Sequence, residues 1–260
     1  MDIVSCRIMG GLGNYMFQIS AAYALSLRDN KKFICDYSDN MVPQKHYSTY
    51  TNNIFRKIEF TNQLPKFERI GEHGFNYREL PKVEGNVKIF GYFQSEKYFK
   101  NYRNEILELF KIDEQTNKKL QEKYSEVLSK DTCSIHVRRG DYIRLSDFHY
   151  VQDINYYKNA YQKMGEEKKY LIFSDDMDWC KQNFDFIKDK IFIEDSTDFE
   201  DLYLMSFCKN NIICNSTFSW WGAWLNENPN KKVIIPKNWF GPKNSHLPTD
   251  DLYCKEWVII

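Results

Sequence analysis

The sequence has no excess of charge of either sign, because 36 lysines and arginines are matched by 36 aspartates and glutamates. A surface that binds nucleic acid or an anionic membrane through general electrostatics needs a basic excess. We therefore expect no nucleic acid as a partner. No apolar run is long enough to cross a bilayer, and no basic segment followed by an apolar one opens the chain, so no signal peptide is expected.

The seven cysteines are odd in number, and no two of them have C-x-x-C spacing. Such a set fits neither a disulfide framework nor a zinc site. Several of the cysteines lie within predicted strands, where a reduced thiol packs as a small apolar side chain. We therefore expect a cytoplasmic protein whose reduced cysteines belong to its core.

A glycine-rich turn follows the first predicted strand, which spans residues 3–8. The turn contains Gly10, Gly11 and Gly13, and helical spacing of apolar residues continues to about Leu27. Strand, glycine turn and helix together open a Rossmann-like unit, and the glycines let a ligand approach the backbone. The pattern is not G-x-G-x-x-G, so NAD binding is not supported. A tight turn without a ligand explains the turn alone equally well.

The second half of the chain alternates short apolar strands with helices. Strands are predicted at residues 133–137, 170–173, 191–193, 212–214 and 233–235. This alternation predicts a parallel sheet with right-handed crossovers.

The first half is less regular. Strands are predicted at residues 32–36 and 87–93, and a loop-rich region occupies residues 38–84. We place a domain boundary between residues 130 and 131, which gives two domains, residues 1–130 and 131–260.

Polar residues follow the predicted strands of the second half, at the sheet edge where open α/β folds bind ligands. Arg138 and Arg139 follow the strand at 133–137. The guanidinium fork binds oxyanions bidentately and is always charged, so the pair suits a diphosphate. A surface salt bridge at the strand end is the alternative interpretation.

Two further groups of polar residues are expected at the same edge. Asn215, Ser216, Thr217 and Ser219 stand where a helix begins, and free backbone N–H groups at a helix start favour an anion. Asp175 and Asp176 could accept hydrogen bonds from a ribose, a guanine edge or a sugar, or one of them could simply cap the next helix.

Two anion-binding elements on one sheet edge, without the lysine motif of the P-loop, predict a nucleotide diphosphate that serves as a leaving group rather than phosphoryl transfer. Arginine can supply the stabilisation of negative charge that a metal would otherwise give. We therefore expect neither a metal nor another cofactor.

Four segments of the chain carry a family resemblance. In order, they resemble the motifs of the family 11 glycosyltransferases, the α-1,2-fucosyltransferases. The segments are Gly10-Gly11-Leu12-Gly13-Asn14-Tyr15-Met16-Phe17-Gln18, His136-Val137-Arg138-Arg139-Gly140-Asp141-Tyr142, Phe173-Ser174-Asp175-Asp176 and Asn215-Ser216-Thr217-Phe218-Ser219-Trp220-Trp221-Gly222.

The resemblance implies a GT-B fold, with two Rossmann-like domains facing across a cleft. Residues 1–130 would then form the acceptor side, and residues 131–260 would bind GDP-fucose. The implied reaction is the inverting transfer of L-fucose from GDP-β-L-fucose to the 2-hydroxyl of a terminal β-galactose, without a metal.

The resemblance also implies roles for the residues of the arginine segment. Arg138 would contact the β-phosphate and stabilise the departing GDP, which makes it the main catalytic candidate. Arg139 would support the site by structural pairing. His136 and Asp141 would shape the loop and the nucleotide site.

The remaining roles are less specific. GDP-fucose would be held by Asp175, Asp176, Asn215, Ser216, Thr217, Ser219, Gly11 and Gly13. Asn14 would lie near the reacting centre, whereas Tyr15 replaces the glutamine usual in the family. The general base stays open between Asp141, Asp2 and a residue of the region 38–84, and a loose transfer step that needs no strong base is a further alternative.

The implied partners are GDP-fucose and an oligosaccharide ending in a β-galactoside. A lipid-linked acceptor, as in the synthesis of a bacterial surface polysaccharide, would bring the enzyme to the cytoplasmic face of the inner membrane. The alternatives are an inverting transferase that uses another nucleotide sugar and a non-catalytic glycan-binding module.

Overall fold

The structure is a computed structural model that describes residues 1–37 and 46–260. The chain divides into two compact units, which we name by position. The N-terminal unit contains Met1–Ile112 and Pro248–Cys254, and the C-terminal unit contains Asp113–Leu247 and Lys255–Ile260. Part of the predicted loop-rich region, residues 38–45, lies outside the described residues.

The N-terminal unit is built on a parallel sheet with the strand order β2-β1-β6-β5 and a separate pair, β3-β4. Among its described residues, the strands are Ile3–Cys6 (β1), Lys32–Phe33 (β2), Cys35–Asp36 (β3), Phe60–Thr61 (β4), Glu68–Gly71 (β5) and Val87–Phe90 (β6); the helices are Leu12–Arg28 (α1) and Arg103–Leu109 (α2), with 3-10 turns at Tyr47–Thr49, Glu96–Tyr98 and Lys100–Tyr102.

The single strand predicted at residues 32–36 is wrong, because the chain changes partner within it. The Ile34 N–H donates to Val4 O at 3.1 Å, whereas the next N–H, that of Cys35, donates to Glu59 O at 2.8 Å. Strands β2 and β3 therefore belong to different sheets. The apolar residues Phe33, Ile34 and Cys35 continue across the switch, so the sequence carries no sign of it.

The C-terminal unit contains a six-stranded parallel sheet with the order β12-β11-β10-β7-β8-β9. Its strands are Thr132–Val137 (β7), Lys169–Ser174 (β8), Lys190–Phe192 (β9), Asn210–Ile212 (β10), Val233–Ile235 (β11) and Val258–Ile259 (β12); its helices are Glu114–Leu128 (α3), Gly140–Arg144 (α4), Ile154–Met164 (α5), Met177–Asn183 (α6), Asp198–Phe207 (α7) and Thr217–Trp224 (α8), with a 3-10 turn at Pro242–Asn244. The predicted alternation and parallel sheet are confirmed.

The observed boundary between the two units lies before helix α3, whereas the predicted boundary lies after it. The units divide between Ile112 and Asp113, ahead of α3, rather than between residues 130 and 131. Helix α3 is capped by Asp113, whose Oδ1 accepts from Thr116 N at 2.8 Å. It belongs to the C-terminal unit, where Lys119 Nζ lies 2.6 Å from Glu200 Oε1 of α7.

The core of the C-terminal unit explains several sequence features without a ligand. Trp220, Trp221 and Trp224 are buried in α8, as expected for core residues. All seven cysteines of the chain are free and buried, which confirms their predicted structural character. Within residues 1–37 and 46–260, no helix combines the length and apolarity that a membrane crossing needs.

Candidate active site

The loop after β7, residues 138–141, is here called the arginine loop. The six residues of β7 are buried, and the first charge appears where the strand ends. Arg138 Nε lies 2.9 Å from Asp141 Oδ1 and 3.1 Å from Asp175 Oδ2, and Nη2 lies 2.7 Å from Asp141 Oδ1. Two carboxylates, from the loops after neighbouring strands, thus hold one guanidinium.

The Arg138 side chain retains 26% exposure, so part of the guanidinium reaches solvent. Burial alone would lower its pKa, but Asp175 and Asp141 outweigh that effect and raise the pKa above its usual value. Among the described residues, Nη1 of Arg138 has no hydrogen-bond partner. A fixed cation with an uncommitted N–H face is suited to an incoming phosphate.

Arg139 is engaged differently. Its backbone N–H donates to Asp175 Oδ1 at 2.9 Å, and its Nε donates to Asp176 Oδ2 at 3.1 Å. Its Cζ atom lies 4.0 Å from the centre of the Trp179 ring. The guanidinium therefore packs within the protein, which is the geometry expected of a supporting residue.

Asp175 and Asp176 have separate tasks. Asp176 caps α6, because its Oδ1 accepts from Trp179 N at 3.3 Å. Asp175 instead binds Arg138 and the backbone of Arg139. The capping alternative thus applies to one aspartate, and the other organises the arginine loop.

Gly140 is required by this packing. A Cβ atom added at Gly140 would lie 2.6 Å from Asp175 Oδ2, closer than real Cβ contacts allow. Asp175 cannot yield freely, since it is held by Arg138 and by the Arg139 N–H. Any side chain at position 140 would displace the carboxylate that positions Arg138.

We expect Gly140→Ala to lower kcat/KM for glycosyl transfer by about ten- to a hundredfold, because small displacements of positioning groups have effects of that size. Steady-state kinetics with a nucleotide-sugar donor would measure the loss. Gly71→Ala is the matched control, since no atom lies within 4 Å of a Cβ there. An unchanged kcat/KM in Gly140→Ala would show that Asp175 is not needed to hold Arg138.

Asn215 is a structural residue of the site. Its Nδ2 donates to Tyr150 O and to Trp239 O, both at 2.8 Å, and its Oδ1 accepts from Gln152 Nε2 at 3.1 Å. The residue is 2% exposed. Both amide hydrogens are committed, so the predicted contact with GDP-fucose is not supported by its geometry.

Among the described residues, no side chain caps the start of α8. The capping residue Ser216 accepts no side-chain bond from the first turn, unlike Asp153, Asp176 and Thr197 at α5, α6 and α7. Ser219 is fully buried, and its Oγ donates to Ser216 O at 3.3 Å. Ser219 therefore supports the turn rather than touching a ligand, whereas the N–H groups of the first turn can bind an anion.

Tyr142 and His149, for which no role was predicted from the sequence, complete this region. The Tyr142 ring stacks on the His149 ring with centroids 4.4 Å apart, and Tyr142 Oη donates to Asn215 O at 3.0 Å. Arg138 Cζ lies 5.7 Å from the centre of the Tyr142 ring. Burial lowers the pKa of His149. The charge of Asp141 raises this pKa, and the charge of Arg138 lowers it further.

His136 lies at the end of β7 and is 5% exposed. Its Nδ1 lies 3.2 Å from Cys214 Sγ. Burial, together with the nearby charge of Arg138, lowers the pKa of His136 to about 3. The imidazole is therefore neutral at physiological pH.

The glycine turn belongs to the N-terminal unit. Gly10 has φ +90°, and a Cβ there would lie 2.4 Å from Asn14 Nδ2. Gln18 fixes the turn, since its Oε1 accepts from Met9 N at 2.9 Å and its Nε2 donates to Met9 O at 3.2 Å. Asn14 Oδ1 accepts from Gln94 Nε2 at 2.8 Å.

Gly11 and Gly13 complete the turn. Gly11 precedes α1 in extended conformation and offers no capping side chain, and Gly13 is buried in the first turn of the helix. Asp2 precedes β1 and therefore lies at the opposite end of that strand from the glycine turn. Because ligands bind at carboxyl ends of parallel strands, the candidacy of Asp2 as general base is not supported.

The segment Asp176-Met177-Asp178 has the spacing of an aspartate pair that binds metals. Asp176, however, is engaged by Trp179 N and Arg139. In the part of the chain that the structure describes, no three histidine, cysteine, aspartate or glutamate side chains are grouped as a metal site. Metal independence nevertheless stays a prediction.

Two Rossmann-like units, each built on a parallel sheet, are the architecture of a GT-B glycosyltransferase. The chain belongs to a defined family of these enzymes, Glycosyl transferase family 11, whose sequence model matches residues 2–260. The predicted family and fold class are confirmed.

Two curated relatives come from Escherichia coli. An α-1,2-colitosyltransferase is 30% identical, covering 100% of this chain and 99% of its own length. The O-antigen biosynthesis glycosyltransferase WbnK is 33% identical, covering 95% of this chain and 98% of its own. The solved structure of the fucosyltransferase NodZ from Bradyrhizobium has a TM-score of 0.59 at 15% identity, covering 85% of this chain and 91% of that one. That likeness shows the fold alone.

Proposed function

We propose that this glycosyltransferase transfers L-fucose, with inversion, from GDP-β-L-fucose to the 2-hydroxyl of a terminal β-galactose. The observation that carries the proposal is the Arg138 guanidinium, fixed between Asp141 and Asp175 with an uncommitted N–H face. A permanent, positioned cation favours a reaction in which negative charge develops on a departing diphosphate.

The reaction step follows from this charge arrangement. As the bond between the sugar and the phosphate breaks, negative charge grows on the GDP oxygen while the sugar becomes oxocarbenium-like. Arg138 and the N–H groups at the start of α8 are in place before the reaction, so they stabilise the transition state more than the ground state. In this proposal the acceptor 2-oxygen bonds to the anomeric carbon of fucose from the opposite face, GDP leaves with the electron pair of the broken bond, and the hydroxyl proton passes to a general base or to water.

The proposal needs no metal ion. The three carboxylates nearest the expected diphosphate, those of Asp141, Asp175 and Asp176, are engaged by Arg138 and Arg139. Arginine thus supplies positive charge where many nucleotide-sugar enzymes use a divalent cation. The general base is open between Asp141, whose carboxylate is committed to Arg138, and a residue of the region 38–84.

The donor is proposed from two observations. NodZ, which shares the fold, was crystallised with GDP and soaked with GDP-fucose. The α-1,2-colitosyltransferase provides a second candidate donor, nucleotide-linked colitose. Colitose is L-fucose without its 3-hydroxyl, so one arginine loop would serve either leaving group.

The acceptor is proposed more broadly. WbnK acts in O-antigen biosynthesis, and other relatives are galactoside α-(1,2)-fucosyltransferases. We therefore propose a β-galactoside in a bacterial surface polysaccharide, presented on a lipid carrier at the cytoplasmic face of the membrane. A non-catalytic glycan-binding module would require neither the paired arginine loop nor an uncapped α8.

A donor panel tests the proposal. Purified protein would be given GDP-fucose, GDP-colitose, GDP-mannose or UDP-galactose, with lactose as acceptor and EDTA present. We expect fucosyl-lactose from GDP-fucose in EDTA. Transfer of colitose with no use of GDP-fucose would reassign the donor, and activity restored only by added metal would overturn the metal-free step. The absence of turnover and of GDP binding would favour the glycan-binding module.

A further inference from the structure

Cys214 connects several groups of the candidate active site. It lies two residues beyond the end of β10 and is fully buried. Its sulfur lies 3.2 Å from His136 Nδ1 and 3.8 Å from Ser219 Oγ. One thiol thus contacts both His136, at the end of β7, and the first turn of α8.

The protons in this cluster can be assigned from its chemistry. Burial raises the pKa of the Cys214 thiol to about 12 and lowers the pKa of His136 to about 3, so both groups are neutral. Ser219 Oγ donates its one proton to Ser216 O, so toward the sulfur it can only accept. The S–H therefore has two acceptors within reach, and the imidazole nitrogen, at 3.2 Å against 3.8 Å for Ser219 Oγ, is the nearer and the stronger.

A neutral imidazole that accepts at one nitrogen carries its proton on the other. Among the described residues, His136 Nε2 has no hydrogen-bond partner. The atom is not fully buried, so it reaches solvent. The His136 ring lies 5.3 Å from the ring of Phe218, in the first turn of α8. The ring that carries Nε2 thus lies beside the first turn of α8.

We propose that Cys214 is a positioning residue: its S–H holds His136 in the Nε2–H tautomer, so that the imidazole donates a hydrogen bond to a phosphate oxygen of the donor. The inference rests on the proposed function, because it requires a diphosphate at the site. The opposite tautomer would aim a nitrogen lone pair at the phosphate and would repel it. Cys214 therefore ensures that His136 presents an N–H group, rather than a nitrogen lone pair, to the phosphate.

The tautomer can be measured directly in the full chain. Two-bond ¹H–¹⁵N correlation spectra distinguish protonated from unprotonated imidazole nitrogens, and His136→Gln identifies the His136 signals by their loss. We expect Nε2–H in the unaltered protein, without titration between pH 5 and 8. We expect mixed tautomers in Cys214→Ala and the original tautomer in Cys214→Ser, whose hydroxyl retains a donor. An Nδ1–H tautomer in the unaltered protein overturns the proposal without any substitution.

GDP affinity links the tautomer to the ligand. Calorimetric titration with GDP should show binding weakened about tenfold in Cys214→Ala and largely restored in Cys214→Ser, because a hydrogen bond to a charged group is worth at least that factor. The amide of glutamine reaches the position of Nε2 and that of asparagine reaches Nδ1. His136→Gln should therefore bind GDP better than His136→Asn, and the reverse order contradicts the proposal.

These measurements separate the two levels of inference. If the unaltered protein does not bind GDP, the proposed function fails, and with it the role of His136 toward phosphate. The spectra still decide in that case whether Cys214 fixes the tautomer. If GDP binds tightly but Cys214→Ala changes neither the tautomer nor the affinity, the proposed function stands and the positioning role is wrong.

Discussion

Arg138→Ala is expected to lower kcat/KM for fucosyl transfer by about a hundred- to a thousandfold, the range seen when a preorganised donor to a developing negative charge is removed. Arg138 is the cation held by both Asp141 and Asp175. Its removal also leaves those carboxylates facing the diphosphate, where they would repel it. Initial rates with GDP-fucose and an acceptor would measure the loss, and circular dichroism would show that the fold persists.

Arg138→Lys should be almost as inactive. A lysine has one point of charge, so it cannot contact Asp141 and Asp175 and still present a planar pair of donors to phosphate. Arg144→Ala is the matched control, because Arg144 is an exposed arginine at the end of α4. We expect Arg144→Ala to retain near-normal activity. A near-normal rate for Arg138→Lys would exclude bidentate contact as the role of Arg138.

Asn215→Ala is expected to lower the free energy of unfolding of the C-terminal unit by about 3–4 kcal/mol, since each buried polar group left without a partner costs about 1–3 kcal/mol. The substitution leaves Tyr150 O and Trp239 O without their donor and Gln152 Nε2 without one of its acceptors. The loops that carry those groups should loosen, and activity should fall with stability.

Urea titration followed by tryptophan fluorescence measures this effect. All six tryptophans lie between residues 179 and 257, within the C-terminal unit, so the signal reports that unit. Asn230→Ala removes the same side chain from an exposed position and should change the free energy by less than about 0.5 kcal/mol. A loss below about 1 kcal/mol in Asn215→Ala would mean that water takes the place of the amide.

The position of Arg138 and Asp175 was predictable because parallel strands place their carboxyl ends on one edge. Each of those residues follows a buried strand directly, so its location depended only on recognising the strand. The direction of a side chain is a different matter. Asn215 and Ser219 stand beside the correct helix start, but their side chains turn toward Tyr150, Trp239 and the α8 turn.

The supporting residues of the site could not be predicted from the sequence, because their roles also depend on the direction of their side chains. From the sequence alone, Cys214 is predicted as another apolar residue of a strand. Its contact with His136 joins positions 78 residues apart. Tyr142, in α4, stacks on His149, which lies in a segment after that helix with no helical or strand period. Such contacts depend on tertiary packing, which local patterns do not specify.

The return of residues 248–254 to the N-terminal unit makes the order of synthesis matter. Asp251 accepts the Tyr77 N–H at 2.7 Å and forms an ion pair with Lys97, so a growing chain that has just passed Ile112 lacks part of its own first unit. Domains tend to fold as they leave the ribosome. The N-terminal unit, however, stays incomplete until nearly all of the C-terminal unit has been synthesised. If the gene were divided after the codon for Ile112, the first fragment would lack residues 248–254. A separately supplied peptide with that sequence could bind the fragment and complete the unit.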